Sequence, residues 1–282
     1  MFKIKKYIPD IVVAIILIAG IGLLDYPTIG DYINALHSSK AIGSYVEKTK
    51  DLSKEEKENL LREAREYNES LVGKVNRYYL NEEEKKRYAH ILDITKTGIM
   101  AYVEIPKLNI YMPVYHGTDE GVLQIAAGHL PGSSLPVGGE NTHSLISGHR
   151  GLPSAKLFTD IDKLKKGDLF FIHVFDEVLA YKVNQIKIVL PDDVETLEIE
   201  KGKDYVTLIT CTPYGVNSHR LLVRGERTVY KQSESKIEDM IKKNNLKYIM
   251  LTAGVILALI GMTVLVSVLL IKRRKRRKLN EK

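Results

Sequence analysis

Cys211 is the only cysteine among 282 residues. It closes the run VTLITC, Val206–Cys211, and Arg220 follows nine positions later. A thiol becomes a nucleophile as the thiolate, and neighbouring cations favour that form. Arginine stays charged and can also hold an oxygen that turns negative during acyl transfer. Such a reaction needs a proton donor for the leaving group, a task suited to histidine. The chain offers His37, His90, His116, His129, His143, His149, His173 and His219. His149 follows the strand-like LISG run and precedes Arg-Gly, His143 begins the same strand, and His173 lies inside another run, where a bonded core or surface role is expected. Residue types alone leave the choice among them open. They also leave three fates for the lone thiol: an inert buried side chain, a disulfide to a partner, or a reactive group.

The elements that must position these groups follow from periodicity. Val206, Leu208 and Thr210 alternate with Thr207, Ile209 and Cys211, so Cys211 lies on the face opposite Thr210. Thr212-Pro213 ends the strand, because proline cannot continue a central ladder. Arg220 opens the next strand across a loop with Gly215, Asn217 and Ser218, a length that can return it beside Cys211. Short β-prone runs also occupy GIMAYVEIPKLNIYMPVYHGT, Leu145–Ser147, Asp168–Phe175 and Val178–Leu190, and Arg220–Tyr230 forms the last. This spacing predicts a closed β structure, since an open sheet would leave edges to protect. Ahead of it, residues 31–70 read as helix, with a capping box at Ser53 and Glu56 and a stop at Gly73. NEEEKKRYAHIL, residues 81–92, predicts a second polar helix capped by Asn81.

The ends of the chain read as membrane segments. Residues 248–271 carry no charge and stop at KRRKRRK, residues 272–278, the pattern of a transmembrane helix with a cytoplasmic basic flank. Lys3, Lys5 and Lys6 precede an apolar run from Ile8 to Leu24 interrupted by Asp10, read as a retained signal anchor or a signal peptide. Residues 27–245 then face outside. Of the net charge of +7, residues 1–26 supply +1 and residues 246–282 supply +8, leaving −2 on the outer part. The basic balance therefore belongs to the membrane flanks, and a nucleic-acid partner is not expected.

Taken together, these segments make the chain resemble the sortase family. The resemblance rests on YVEIPKLNIYMPVYHGT, GHLPGSSLPVGG, THSLISGHRGLPSAKLFTDIDKL and TLITCTPYGVNSHRLLVRG, in that order over roughly residues 98–227. It is closest to class C, the pilin-polymerising transpeptidases of Gram-positive bacteria. The resemblance implies a mainly β fold, an eight-stranded sortase-type β-barrel with an N-terminal helical appendage and flanking transmembrane helices. Matched position by position, it implies His149, Cys211 and Arg220 as catalytic residues. Thr210 is expected along the substrate groove, and Arg224 on its wall or in a structural role. His143 is expected to be structural, and Arg150 to orient local backbone.

The division that follows is an anchor or signal peptide at 1–26, a helical appendage or lid region at 27–97, the catalytic barrel at 98–230, a polar stalk at 231–247, a transmembrane helix at 248–271 and a cytoplasmic tail at 272–282. The implied reaction cleaves an LPxTG-like sorting signal between Thr and Gly and passes the acyl group to a lysine amine of a pilin subunit. Its partners are pilins bearing that signal and the membrane, with no metal and no organic cofactor. The chain departs from many class C relatives in having no Asp-Pro pair between Leu71 and Gly98 to anchor a lid. Tyr78 and Tyr79 are the aromatic candidates there. Rival readings are a cell-wall-anchoring sortase, a cysteine hydrolase using water, and a non-enzymatic membrane-tethered barrel holding zinc. The last lacks the clustered ligand spacing of a strong metal site.

Overall fold

The computed structural model describes residues 8–229 together with Met250, Gly254 and Gly261. The expected stalk and basic tail, and the rest of the expected C-terminal span, lie outside the described residues. Three helices lead into the β structure: α1 (Ile8–Asp51), α2 (Lys54–Leu71) and α3 (Glu82–His90). Ser53 and Glu56 form the expected capping box on α2, and Asn81 and Glu84 form another on α3. Each satisfies two otherwise unpaired backbone donors. The helical stretch expected over 31–70 is two helices, the second opening at Ser53 as its capping box requires.

The strands are β1 (Ile99–Ile105), β2 (Ile110–His116), β3 (Ala127–His129), β4 (Thr142–Ser147), β5 (Leu169–Val174), β6 (Glu177–Val189), β7 (Asp204–Thr212) and β8 (His219–Arg227). A short helix, α4 (Glu120–Leu123), precedes β3. The strands close into a barrel in the order β1-β2-β3-β4-β7-β8-β6-β5. The β2–β3 and β4–β7 pairs are parallel, and the other pairs are antiparallel. β3, three residues long, has no signal in the sequence; its pairing with β2 and β4 makes it a strand.

Val206, Leu208 and Val223 are buried in the main core, as period-two alternation requires. α2 buries Leu61, Ala64, Tyr67 and Leu71 against it, and Asn68 exchanges two hydrogen bonds with the backbone of Leu135 at 3.1 and 2.6 Å. α1 is fastened by Tyr45, whose hydroxyl donates to Met100 O at 3.1 Å and accepts from Phe175 N at 3.0 Å.

Two buried histidines sit in fixed tautomers. His129 Nε2–H donates to Ser134 O at 2.8 Å, which leaves Nδ1 to face the Tyr88 hydroxyl at 2.9 Å. His143 Nδ1–H donates to Glu198 O at 2.9 Å, and its Nε2 accepts from the Thr207 hydroxyl at 2.7 Å. Burial pushes His129 down to about 3 and His143 down to about 4. Both rings stay neutral when folded, whereas in the unfolded chain each gains a proton near its ordinary value of about 6.5. As pH falls from about 6.5 toward 4, the unfolded state takes up protons that the folded state refuses, so stability declines. The thermal midpoint followed by circular dichroism is expected to drop between pH 7 and pH 5; a flat midpoint would contradict the assignment of both rings as neutral.

Candidate active site

The register between β7 and its two neighbours builds the site. Cys211 on β7 pairs with Arg220 on β8. Directly opposed residues of an antiparallel pair share a face, with Cβ atoms about 4.5–5.5 Å apart. On the other side, the last β4–β7 pair is Ser147 with Ile209, and Gly148 N extends the ladder to Ile209 O at 3.0 Å. His149 follows, level with Cys211 and of the same parity as Leu145 and Ser147. Gly148 is required at this turn: a Cβ there would lie 2.6 Å from the Phe158 ring. Phe158 N also holds His149 O at 3.1 Å. The resulting face carries Cys211 and Arg220 on neighbouring strands, with His149 two residues past the end of β4.

Cys211 is half-buried and free. His149 Nε2 is enclosed, has no hydrogen-bond partner among the described residues, and lies 3.5 Å from Glu120 Oε2. That distance is an ion-pair contact rather than a hydrogen bond. The Gln124 amide and, less strongly, the His149 ring hold the Glu120 carboxyl below its ordinary range. Arg220 Nη1 donates to the carbonyls of Asn217 and His219, each at 3.2 Å, so the guanidinium is steadied by its own turn. Arg150 ties the His149 turn to the residue after Cys211: it pairs with Asp162 and donates to Thr212 Oγ1 at 3.2 Å. Among the described residues no group of three or more His, Cys, Asp or Glu side chains is arranged to hold a metal.

Thr210, expected along the groove, lies on the opposite face. It is 1% exposed and its hydroxyl donates to Gly148 O at 2.7 Å, so it braces the His149 turn from inside. Strand alternation is the reason. Arg224 lies on the same face as Cys211 but is engaged: it donates to Glu200 at 2.9 Å and to Asn184 at 3.2 Å, and covers the Tyr205 ring at 4.0 Å. With His143, which holds Glu198 O, it fastens the β6–β7 connection, residues 190–203, onto the barrel. Leu197 of that connection joins Leu145, Ile209 and Leu222 in a small apolar cluster beside Cys211, apart from the main core.

Residues 72–80, between α2 and α3, cross this cluster as a strap. Tyr78 packs on it, whereas Tyr79 is 84% exposed. Arg77, buried, donates to Leu197 O at 2.6 Å and to the Tyr78 hydroxyl at 2.7 Å, and lies 3.7 Å from Glu198. An arginine bonded to a backbone carbonyl thus anchors the strap. Gly132 accepts its close approach, since a Cβ there would be 2.2 Å from Arg77 O. A cleft of about 730 Å³ lies between the strap and the β6–β7 connection, lined in part by Lys74, Tyr79, Leu130, Asp192 and Val194. Sequence reasoning missed Arg77 and Glu120, and no local signal marks either, because their partners are 120 and 29 positions away.

A family model described as Sortase domain matches residues 103–228. A crystal structure of sortase C1 from Streptococcus agalactiae is 49% identical, covers 68% of this chain and 100% of its own, and superposes with a TM-score of 0.66. A sortase C structure from Streptococcus pneumoniae is 47% identical, covers 69% of this chain and 99% of its own, with a TM-score of 0.62.

The chain belongs to the sortase family.

Curated relatives match less of it. Sortase A of Streptococcus agalactiae is 28% identical over 153 residues, 53% of this chain, and the match spans 61% of that relative's length. Sortase A of Staphylococcus aureus is 34% identical over 123 residues, 42% of this chain and 58% of the relative. In this sortase the family match covers β1 from Val103 through β8, while α1, α2 and the strap lie outside it. The sortase C structures cover more than that segment, in line with the class C likeness.

Charge-assisted hydrogen bonds such as those of Arg77 contribute roughly 1.5–3 kcal/mol, so losing them should open the strap about tenfold or more often. Arg77→Ala is expected to speed alkylation of Cys211 accordingly. Gly132→Ala, which displaces the strap sterically and leaves Arg77 in place, is expected to act in the same direction. Unchanged alkylation rates in both would show that the strap does not limit access to the thiol.

Proposed function

We propose that this sortase is a cysteine transpeptidase that cleaves an LPxTG-like sorting signal between Thr and Gly and joins the acyl group to a lysine amine of a pilin subunit. One observation carries the reading: the single thiol of the chain stands opposite Arg220 on one neighbouring strand and level with His149 on the other. The Cys211 thiolate attacks the Thr carbonyl carbon, and Arg220 stabilises the oxyanion that forms. As the C–N bond breaks, protonated His149 gives its proton to the departing glycine amine, leaving a thioester on Cys211. The lysine amine attacks this thioester, His149 takes its proton, the thiolate leaves, and an isopeptide bond remains. Glu120 Oε2 stands 3.5 Å from the ring nitrogen, where it can hold the imidazole in position.

Support for pilin as substrate comes from the sortase C likeness and from the pneumococcal relative, whose crystal structure is described as informing pilin substrate specificity. Residues 98–230 form the catalytic domain and residues 27–97 the appendage that carries the strap. Ile8–Leu24 anchor the chain in the cell membrane with the barrel outside. α1 is the helix among the described residues long and apolar enough to cross a bilayer. Residues 248–271 cross again and leave residues 272–282 in the cytoplasm. Enzyme and substrate held in one plane meet at a raised effective concentration without new contacts.

Incubation with an LPxTG peptide and a lysine-bearing pilin domain is expected to yield the isopeptide product and, on trapping, a thioacyl enzyme. Cys211→Ala is expected to lose all turnover; full activity in that variant would remove the proposed nucleophile. Transfer to a peptidoglycan stem peptide in preference to the pilin lysine would favour a cell-wall-anchoring role, and cleavage indifferent to any amine would favour a hydrolase. Glu120 is exposed and its influence is screened, so Glu120→Gln is expected to lower kcat by no more than about fivefold at unchanged KM. Glu120→Asp should retain most of the rate.

A further inference from the structure

We infer that the catalytic end of the barrel faces the outer surface of the bilayer, and that Tyr214 and Val216 on the β7–β8 turn enter its interfacial layer. This rests on the reading of Ile8–Leu24 as a membrane span and is independent of the acyl-transfer chemistry. α1 continues from Ile8 to Asp51 with Pro27 inside it, so the span passes into the outer domain as one helix, and its contacts at Gly30 and Asp31, one turn beyond Pro27, set how near the barrel lies to the bilayer. Asp25 ends the apolar run. At about 1.5 Å per residue, Gly30 and Asp31 stand roughly 8–9 Å beyond it. The polar layer adds about 5–7 Å to each side of the hydrocarbon core, so these residues lie near its outer edge.

At that level α1 grips the loop that follows His149. Gly30 is so close to Ser154 that a Cβ would be 2.8 Å from Ser154 O, and Asp31 Oδ1 accepts from Lys156 N at 2.9 Å. The helix then travels away from the catalytic end. Tyr45 bonds Met100 at the start of β1 and Phe175 just after the end of β5. β1 runs parallel to β4 and β7, as the chain of pairings through β2 and β3 requires. The start of β1 is therefore the end of the barrel remote from Cys211. Two sets of contacts about 22 Å apart along one helix thus fix the same polarity.

The β7–β8 turn projects from the catalytic end. Tyr214 is 61% exposed and Val216 is 70% exposed. Tyr214 lies against Gly151, in the same loop that α1 grips: a Cβ on Gly151 would be 3.2 Å from the ring. An exposed tyrosine beside an exposed valine, next to a membrane anchor, suits the bilayer interface, where amphipathic rings are enriched. Tyr26 and Ile29 on α1, just before the residues that grip this loop, are exposed as well. A substrate held in the same membrane would meet the thiol at this level.

The test uses the full chain in vesicles of phosphatidylcholine and phosphatidylglycerol containing nitroxide lipids. Single-cysteine variants Leu17→Cys, Val216→Cys and Lys54→Cys are made in the Cys211→Ala background and labelled with a fluorophore. Lys54 is exposed at the start of α2, near the far end, where Lys57 pairs with Asp176 of the β5–β6 turn. Loss of fluorescence is expected at position 17 with nitroxide deep in the chains, at position 216 with nitroxide near the headgroup, and at position 54 with neither. No quenching at position 17 would defeat the span itself. Quenching at position 17 with full fluorescence at position 216 would overturn the proposed orientation. A signal at position 216 that follows protein density instead of nitroxide would indicate contact with a second copy and would equally overturn it.

Discussion

The parallel ladder between β4 and β7 is the constraint on which the rest depends. It brings a segment near residue 145 beside one near residue 207 and sets their register. Because side chains alternate with a period of two, a slip of one residue would turn His149 or Cys211 to the wrong face. Gly148 N to Ile209 O and the Thr210 hydroxyl to Gly148 O extend that register past the last strand pair. The antiparallel β7–β8 pairing then sets Arg220 opposite Cys211 without further adjustment. Closure of the barrel protects this arrangement, since β7 has a bonded neighbour on each side.

Around this ladder the protein uses polar bonds where a groove interrupts hydrophobic packing. The small cluster of Leu145, Leu197, Ile209 and Leu222 is too limited to hold the β6–β7 connection by itself. His143, Arg224 and Arg77 supply the remaining attachments through Glu198 O, Glu200 and Leu197 O. Each partner is a backbone carbonyl or an exposed carboxylate on a loop, so these bonds act at the segment with least apolar contact. The neutral state of buried His143 follows from the same arrangement, because its ring is enclosed between the barrel and the connection.

The helices serve a different purpose. α1 joins an apolar run to the loop behind His149 and to the far end of the barrel, and its contacts at Asp31 and Tyr45 both lie beyond Pro27. α2 and α3, each with a capping box, bracket the strap that crosses the outer cluster. The strap starts past the C-terminal end of α2 and ends at the Asn81 cap of α3, and between them it is set by Arg77 and Gly132.

The sequence by itself determined the local elements. Alternation marks β7 and β8, Ser53 and Asn81 mark two helix starts, and the lone Cys211 with Arg220 nine positions on marks a strand end capable of chemistry. The inward turn of Thr210 was also contained in that alternation, which outweighs its nearness to Cys211. Residue types left eight histidines open until the sortase resemblance singled out His149; only the tertiary structure set His149 level with the thiol, brought Glu120 to the His149 ring, bound Arg77 to Leu197 O and packed α1 on the loop behind His149. The physical reason is range. Periodicity and capping act over a few residues, whereas parallel pairing and salt bridges join segments tens of residues apart, and their partners become definite only when the barrel closes.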